Sequence, residues 1–401
     1  MRVKIIKTQA VINYFKISRH SGHFPELDGL RGIAVLLVLL RHTSNPFFVD
    51  ANFFQSEWHV FHFIRNGTVG VDLFFVLSGF LITSSILRLR DKGRNIYIPI
   101  YLAKRALRII PAYYFVLFFV VAGGVPFYSL HTQYDMSLIL RTFYHAIFMQ
   151  DYMGNNIVVT FWSLGVEEKF YLLIPFVLML LCKFKSNKVI YFGTSILILL
   201  GPLLRFLAHV AYPEMGYSQS YLSNLYMPLF YYPFHTCLDP LFIGVLCAFI
   251  YRSSGSVSWC KNEKIMNSLF WVSIALLFLL LTQSVMFSKI TVFDKVWQRF
   301  IVSVCFGSVM LSLILGFGTI KIFQSKVLLF FAVISYSLYL VHMPLQPMLL
   351  ETLEYLIKFS QLSITSKILI FYPTFFVLSI IIALVVYYVI EKPFLVLKDR
   401  F

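Results

Sequence analysis

Ionisable side chains set inside long apolar runs are the residues of this chain most suited to chemistry. The first such run follows Glu26-Leu-Asp28-Gly-Leu-Arg31-Gly and ends at Arg41-His42. On an α-helix, the step from Arg31 to His42 leaves both side chains on nearly one face, about 16 Å apart along the axis. A charge inside a bilayer is costly unless it is paired or solvated. The two residues therefore indicate one cavity lined at two levels, with Asp28 placed to orient Arg31; a structural role for His42 is the alternative.

A second run opens with Gly70-Val-Asp72 and continues to Ser78-Gly79. Its carboxylate lies near the start of the predicted helix, where Asp72 either orients a histidine or caps the helix. The small pair Ser78-Gly79 lies one to two turns deeper. We expect it to permit close contact with another helix.

A third group combines a carboxylate pair with a second histidine. Glu167 and Glu168 are adjacent, so they cannot face the same direction on a helix. Glu167 stacks over Ser163 at the i, i+4 spacing and is predicted to face inward, while Glu168 pairs with Lys169 or reaches water. His342 ends another apolar run, in Ser-Leu-Tyr-Leu-Val-His-Met-Pro. The sequence thus predicts a polar cavity in the outer half of the bilayer, formed by groups at similar depth on four helices: His42, Asp72, Glu167 and His342.

Basic residues gather just before the third apolar run, at Lys104, Arg105 and Arg108. Arg105 and Arg108 share one helix face at the i, i+3 spacing. Two forked guanidinium groups at this spacing suit a phosphate-rich ligand such as a nucleotide cofactor. Anchoring to lipid phosphate is the alternative.

The elements that must position these groups are membrane-spanning helices. Hydrophobic residues make up 59% of the 401 residues and charged residues only 13%, which is too apolar for a soluble core. We predict an all-α, polytopic helical bundle of about ten transmembrane helices, each near the 20 residues that a bilayer requires. A further apolar stretch, 137–149, is short enough to be re-entrant or interfacial. The predicted spans are 30–49, 69–87, 109–126, 166–182, 189–208, 233–251, 268–288, 300–318, 326–346 and 367–390.

Charge and cysteine usage narrow the class further. Lys and Arg concentrate in alternate loops, above all in 88–108, which predicts that both termini are cytoplasmic. The net charge of +16 is then mainly a topology signal with some attraction to anionic membrane lipids, and it requires no nucleic-acid partner. The five cysteines form no CxxC pair, so the sequence predicts neither a disulfide framework nor a metal site.

These motifs resemble, in order, those of the bacterial membrane-bound acyltransferase-3 family, the carbohydrate O-acyltransferases. The resemblance covers nearly the whole chain, although 185–325 matches by hydropathy more than by signature. The matching segments are ELDGLRG with Arg31 and His42 as an R-x10-H pair, GVDLFFVLSGFLI, Arg105-x-x-Arg108 with Pro111 and Tyr113, FWSLGVEEKFYLL, SYSLYLVHMPL and Glu391-Lys392-Pro393.

The resemblance implies an enzyme that moves an acyl group, commonly acetyl from cytoplasmic acetyl-CoA, to a hydroxyl of a cell-envelope polysaccharide or lipid-linked glycan such as O-antigen. It places the protein in the bacterial cytoplasmic (inner) membrane. We expect one transmembrane acyltransferase domain over residues 1–401, without the extracytoplasmic hydrolase-like domain of some family members. A homo-oligomer is compatible with the sequence.

The resemblance also implies roles for the residues above. Arg105 and Arg108, with Lys104 beside them, would hold the CoA phosphates, and Arg31 the polar arm of the donor. His42 would act as general base or as transient acyl carrier. The carboxylates Glu167 and Asp72 would orient the imidazole or the acceptor, with support from Asp28, Ser163 and His342. A transporter or flippase for a glycolipid or anionic substrate is the alternative function, because buried charges also line transport paths.

Overall fold

The computed structural model describes residues 24–43, 59–93, 97–124, 137–153, 157–184, 186–212, 226–283 and 291–400. Within these ranges the regular elements are helices, with no strand. The helices are α1 (Pro25–Thr43), α2 (His59–Arg65), α3 (Val69–Asp91), α4 (Ile98–Phe119), α5 (Leu138–Ala146), α6 (Trp162–Leu181), α7 (Asn187–Ala211), α8 (Leu238–Ser253), α9 (Glu263–Gln283), α10 (Val292–Val296), α11 (Gln298–Ile314), α12 (Ile320–Phe323), α13 (Lys326–Ile357), α14 (Ile364–Val386) and α15 (Lys392–Lys398).

Among the described residues, six helical segments are long and apolar enough to cross a membrane by length and composition: His62–Asp91, Ile98–Gly123, Asn187–Ala211, Glu263–Thr282, Lys326–Ile357 and Ile364–Lys398. The other four predicted spans fall on α1, α6, α8 and α11. Helices α1 and α6 carry several of the ionisable groups singled out above, and α8 and α11 contain only 16 and 17 residues. All ten predicted runs therefore overlap helices, while ten crossings remain a prediction.

The short apolar stretch 137–149 forms α5, a helix of nine residues. Such a helix is about 14 Å long and does not cross a bilayer by itself. The hydroxyl of Ser137 caps its first turn by accepting a hydrogen bond from the backbone N–H of Leu140. The backbone then turns at Phe148, a residue with a left-handed φ of 56°.

The long helix α13 packs against α1 along its length, and the two helices run parallel. Their starts are in contact because Gly32 has no Cβ: a methyl group there would lie 2.4 Å from the carbonyl oxygen of Leu328. Near their other ends, the rings of His42 and His342 are in contact, with centroids 5.0 Å apart. Successive residues along α13 therefore contact successive residues along α1, in the same order.

A second close contact joins α3 to α8. A Cβ on Gly79 would lie 2.0 Å from the carbonyl oxygen of Leu241, and one on Gly244 would lie 2.1 Å from that of Val76. The predicted role of Gly79 in close helix contact is thus confirmed. Its neighbour Ser78 has a different role and hydrogen-bonds a carboxylate on α6.

Candidate functional site

The ionisable residues of α1, α4 and α6 meet in a cavity of about 170 Å³ that also borders α3 and α13. The cavity has a basic end and an aromatic end. Its lining includes Arg31, Phe74, Ser78, Arg105, Arg108, Ser163, Glu167, Tyr171, Tyr336 and Tyr339.

Three guanidinium groups form the basic end. Arg31 lies near enough to Arg108 for the two charges to repel, and the carboxylates of Asp28 and Glu167 partly offset this repulsion. Arg105 lies over the ring of Tyr171, which lines the cavity, and over that of Tyr101, so its cation is held partly by aromatic faces. Three arginines beside one cavity carboxylate leave a surplus of positive charge, which suits an anionic ligand.

Lys104 differs from its neighbours, because the described residues that line the cavity do not include it. It lies on α4 one position before Arg105, and its side chain is half-buried. The two arginines and Arg31 therefore line the cavity, while a role of Lys104 in ligand binding stays a prediction.

Glu167 faces the cavity between α3 and α6. Its Oε1 accepts a hydrogen bond of 2.9 Å from Ser78 and its Oε2 accepts one of 2.8 Å from Tyr171. Lys169 points elsewhere and donates to Asp151 and to the carbonyl oxygen of Phe148, each at 2.5 Å. Of the two alternatives for Glu168, pairing with Lys169 or contact with water, the first is not observed, because Lys169 pairs with Asp151 and so ties α6 to the segment after α5.

Tyr339 closes the aromatic end of the cavity. Its hydroxyl lies 2.6 Å from Oγ of Ser163 and donates to the carbonyl oxygen of Thr160 at 2.8 Å. The ring of Phe74 packs edge-on against it, with centroids 6.2 Å apart. Ser163 thus serves to hold this tyrosine in place.

The histidine pair lies beyond that end. His342 follows Tyr339 by three residues on α13, with ring centroids 5.7 Å apart, and its Nε2 lies 3.2 Å from Nδ1 of His42. The side-chain amide of Gln346 donates to the carbonyl oxygen of His42 at 2.8 Å. The described residues that line the cavity do not include His42, so Tyr339 stands between the cavity and the pair.

Asp72 contacts an arginine rather than a histidine. Its Oδ1 accepts a hydrogen bond of 2.8 Å from Nε of Arg299, and both side chains are buried. Glu167 meets α3 at Ser78, six residues and about 9 Å farther along the helix than Asp72. The prediction that His42, Asp72, Glu167 and His342 share one depth is therefore wrong for Glu167, because α6 meets α3 nearer the basic end.

Several buried polar residues had no role in the sequence interpretation. Arg299 also donates to the carbonyl oxygen of Tyr231 and lies 4.1 Å over that ring. Arg205 binds Asp239 through two hydrogen bonds of 2.8 Å, and both residues are almost fully buried. Their partners lie 34 to 227 residues away in the chain. Each of these charged residues lies inside or at the edge of an apolar run, which could have indicated that it is buried. That position does not show which residue is its partner.

Comparison with known proteins decides the family. A family model described as an acyltransferase domain matches residues 24–391, which include the cavity and the histidine pair. The chain belongs to this acyltransferase family. Among the described residues, no group of three or more His, Cys, Asp or Glu side chains is arranged to hold a metal ion.

Relatives of this acyltransferase are named as O-acetyltransferases. The chain is 27% identical over 368 residues to the peptidoglycan O-acetyltransferase OatA of Listeria monocytogenes, an alignment covering 84% of this chain and 52% of the relative. It is 28% identical over 369 residues, with the same coverage, to a Staphylococcus aureus (strain COL) protein whose name describes it as an O-acetyltransferase. The chain thus spans about half the length of these curated relatives. No solved structure matches it significantly.

Proposed function

We propose that this acyltransferase moves an acetyl group from cytoplasmic acetyl-CoA to a hydroxyl of a cell-envelope glycan on the other side of the membrane. One observation carries the proposal. A cavity with surplus positive charge at one end reaches, at its other end, a tyrosine that lies one helical turn from a pair of contacting histidines. Such an arrangement suits a donor that is anionic at one end and reactive at the other.

The size of the cavity supports a donor that enters only in part, with its narrow arm inside and its nucleotide at the mouth. At about 170 Å³ it is smaller than the roughly 300 Å³ at which pockets for whole ligands begin. A slender pantetheine arm fits such a passage better than a nucleotide does. Arg105 and Arg108 would then hold the CoA phosphates at the mouth, while Arg31 contacts the arm.

His42 supplies the chemistry in this proposal. A neutral imidazole can take the proton of an acceptor hydroxyl as its oxygen attacks the thioester carbon, or can carry the acetyl group transiently. Glu167 has a supporting role at the basic end, since its hydrogen bonds to Ser78 and Tyr171 fix it near the arginines.

The relatives support a glycan acceptor. OatA is named for peptidoglycan, a polymer of sugars with free hydroxyl groups. We infer the same broad class, a polysaccharide or lipid-linked glycan of the envelope, for this chain. The protein would lie in the cytoplasmic membrane, so that the donor and the acceptor reach it from opposite sides.

Membrane vesicles from producing cells test the proposal, because they retain the native acceptor. Inverted vesicles given [14C]acetyl-CoA should incorporate label into glycan, whereas sealed right-side-out vesicles should not. His42→Ala should abolish incorporation, while His209→Ala, the same change on α7 away from the cavity, should preserve it. Full transfer by His42→Ala, or movement of glycolipid without consumption of acetyl-CoA, would overturn the proposal.

A further inference from the structure

Backbone carbonyls determine which nitrogen of His342 carries hydrogen. Nδ1 of His342 lies 3.1 Å from the carbonyl oxygen of Leu338, four residues earlier on α13. A carbonyl oxygen only accepts hydrogen bonds, so Nδ1 must be protonated. In the neutral ring Nε2 then carries the lone pair, and this nitrogen faces His42.

The same argument applies independently to His42. Its Nδ1 lies 2.9 Å from the carbonyl oxygen of Val38 and is therefore protonated. Nε2 of His342 lies 3.2 Å from the same Nδ1, so this one N–H is shared between the carbonyl oxygen of Val38 and the lone pair derived above. The opposite tautomers would turn the Nδ1 lone pair of each ring toward a carbonyl oxygen. Three contacts thus agree on a single arrangement of hydrogens.

From this geometry, and resting on the proposed function, we infer that His342 is a positioning residue that fixes the tautomer of His42 and leaves Nε2 of His42 as the reacting atom. During transfer the acceptor O–H bond breaks and its proton goes to this Nε2. The hydroxyl oxygen forms the ester bond, the C–S bond of the thioester breaks, and the proton passes from Nε2 to the departing sulfur. His342 contacts neither substrate in these reaction steps.

The pair also stabilises the protonated state that catalysis requires. When Nε2 of His42 takes a proton, its Nδ1–H still donates to the lone pair of His342, so the new cation keeps its hydrogen bond. A proton on Nε2 of His342 would instead face the N–H of His42, and two donors cannot form a hydrogen bond with each other. The pair therefore directs the proton to the ring that meets the acceptor, in the way that an orienting partner serves a catalytic base.

Helix α13 reinforces this arrangement through the next turn. Gln346 lies four residues after His342 and binds the carbonyl oxygen of His42 at 2.8 Å. One face of α13 thus holds both the ring and the backbone of the same residue, which fixes the position of the imidazole as well as its tautomer.

Substitutions that keep or remove the acceptor atom test the inference. His342→Leu removes it and should lower kcat about 100-fold, on the scale of a lost acid–base contribution. The KM for acetyl-CoA and the Tm should not change. In His342→Gln the side-chain oxygen reaches the position of Nε2, so kcat should stay within about tenfold of the parent. His209→Leu is the matched control and should behave as the parent protein.

A second comparison applies if His342→Leu does not fold. His342→Asn is polar but one bond shorter than His342→Gln, so its oxygen cannot reach His42, and it should be as inactive as the leucine variant. Equal loss in the Gln and Asn variants, or full activity in the Leu or Asn variant, would overturn the inference. Transfer by His42→Ala would instead remove the proposed function itself, so the two failures are distinguishable.

Discussion

Asp72 and Arg299 form a buried ion pair that joins α3 to α11. A charge taken out of water requires a partner, and this pair is also placed against Tyr231. The sequence predicted that Asp72 orients a histidine or caps the helix; the partner that the structure gives it, Arg299, favours a structural role between helices. Breaking such a pair leaves an uncompensated buried charge.

We expect Asp72→Ala to destabilise the protein by about 3 to 5 kcal/mol, the usual cost of removing one partner of a buried pair. Thermal denaturation of the purified protein in detergent measures this loss. Asp91→Ala is the matched control, because the salt bridge of Asp91 with Arg252 is exposed and should contribute only about 0 to 1 kcal/mol. An Asp72→Ala protein with normal Tm but no transfer would instead support the catalytic role.

Helical spacing predicted much of the cavity at this scale. The i, i+3 spacing of Arg105 and Arg108 placed both in the cavity lining, and the i, i+4 argument identified Glu167 as the inward carboxylate. Contacts between distant segments were beyond such reasoning. The pairing of Asp72 with Arg299 depends on how helices pack, and a single sequence holds no signal for that.

At the scale of elements, α13 organises the site. Along one helix, Tyr336 donates to the carbonyl oxygen of Ile109 on α4, Ser337 binds Glu391, and Tyr339 meets Ser163 on α6. The sequence predicted a span there from its apolar run, 326–346, but the helix continues to Ile357. The extension begins at Pro347, and Pro344 lies just before it; prolines usually end a helix, so residue preferences alone predict an earlier end.

A larger side chain on either helix should disrupt the contact of α3 with α8. Gly79→Ala places a methyl group 2.0 Å from a backbone oxygen, so the helices must separate. We expect a loss of about 1 to 3 kcal/mol, typical of an overpacked core, seen as a lower Tm and an aggregated fraction in size-exclusion chromatography. Gly255→Ala is the control, since its Cβ would have nothing within 4 Å. Equal behaviour of the two variants would contradict the contact.

At the scale of the whole molecule, the apolar exterior agrees with a lipid environment. Large side chains such as Phe176, Leu180 and Leu369 are more than half exposed on helices whose other faces are buried. Water would not tolerate such a surface over several helices, whereas lipid tails do. Composition alone predicted a membrane protein, because that prediction does not depend on which helices are in contact.

The predicted topology is testable with single cysteines. All five native cysteines are buried, so a membrane-impermeant maleimide should give little background. Glu351→Cys, at an exposed position predicted to lie outside, should react in intact cells. Ser256→Cys, an exposed position predicted to lie inside, should react only after permeabilisation. The reverse pattern would place both termini outside and exclude a cytoplasmic donor at Arg105.

The contact among Tyr339, Ser163 and Thr160 has an electrical consequence for the cell. An open water-filled channel from the arginines to the histidines would conduct protons and dissipate the gradient that drives bacterial energy metabolism. Under the proposed function, the hydrogen-bonded ring of Tyr339 would lie across that route and keep the membrane insulating between the donor side and the acceptor side. Delivery of a thioester past this ring, as proposed, would require the ring to move, so any proton leak would be limited to the time of turnover.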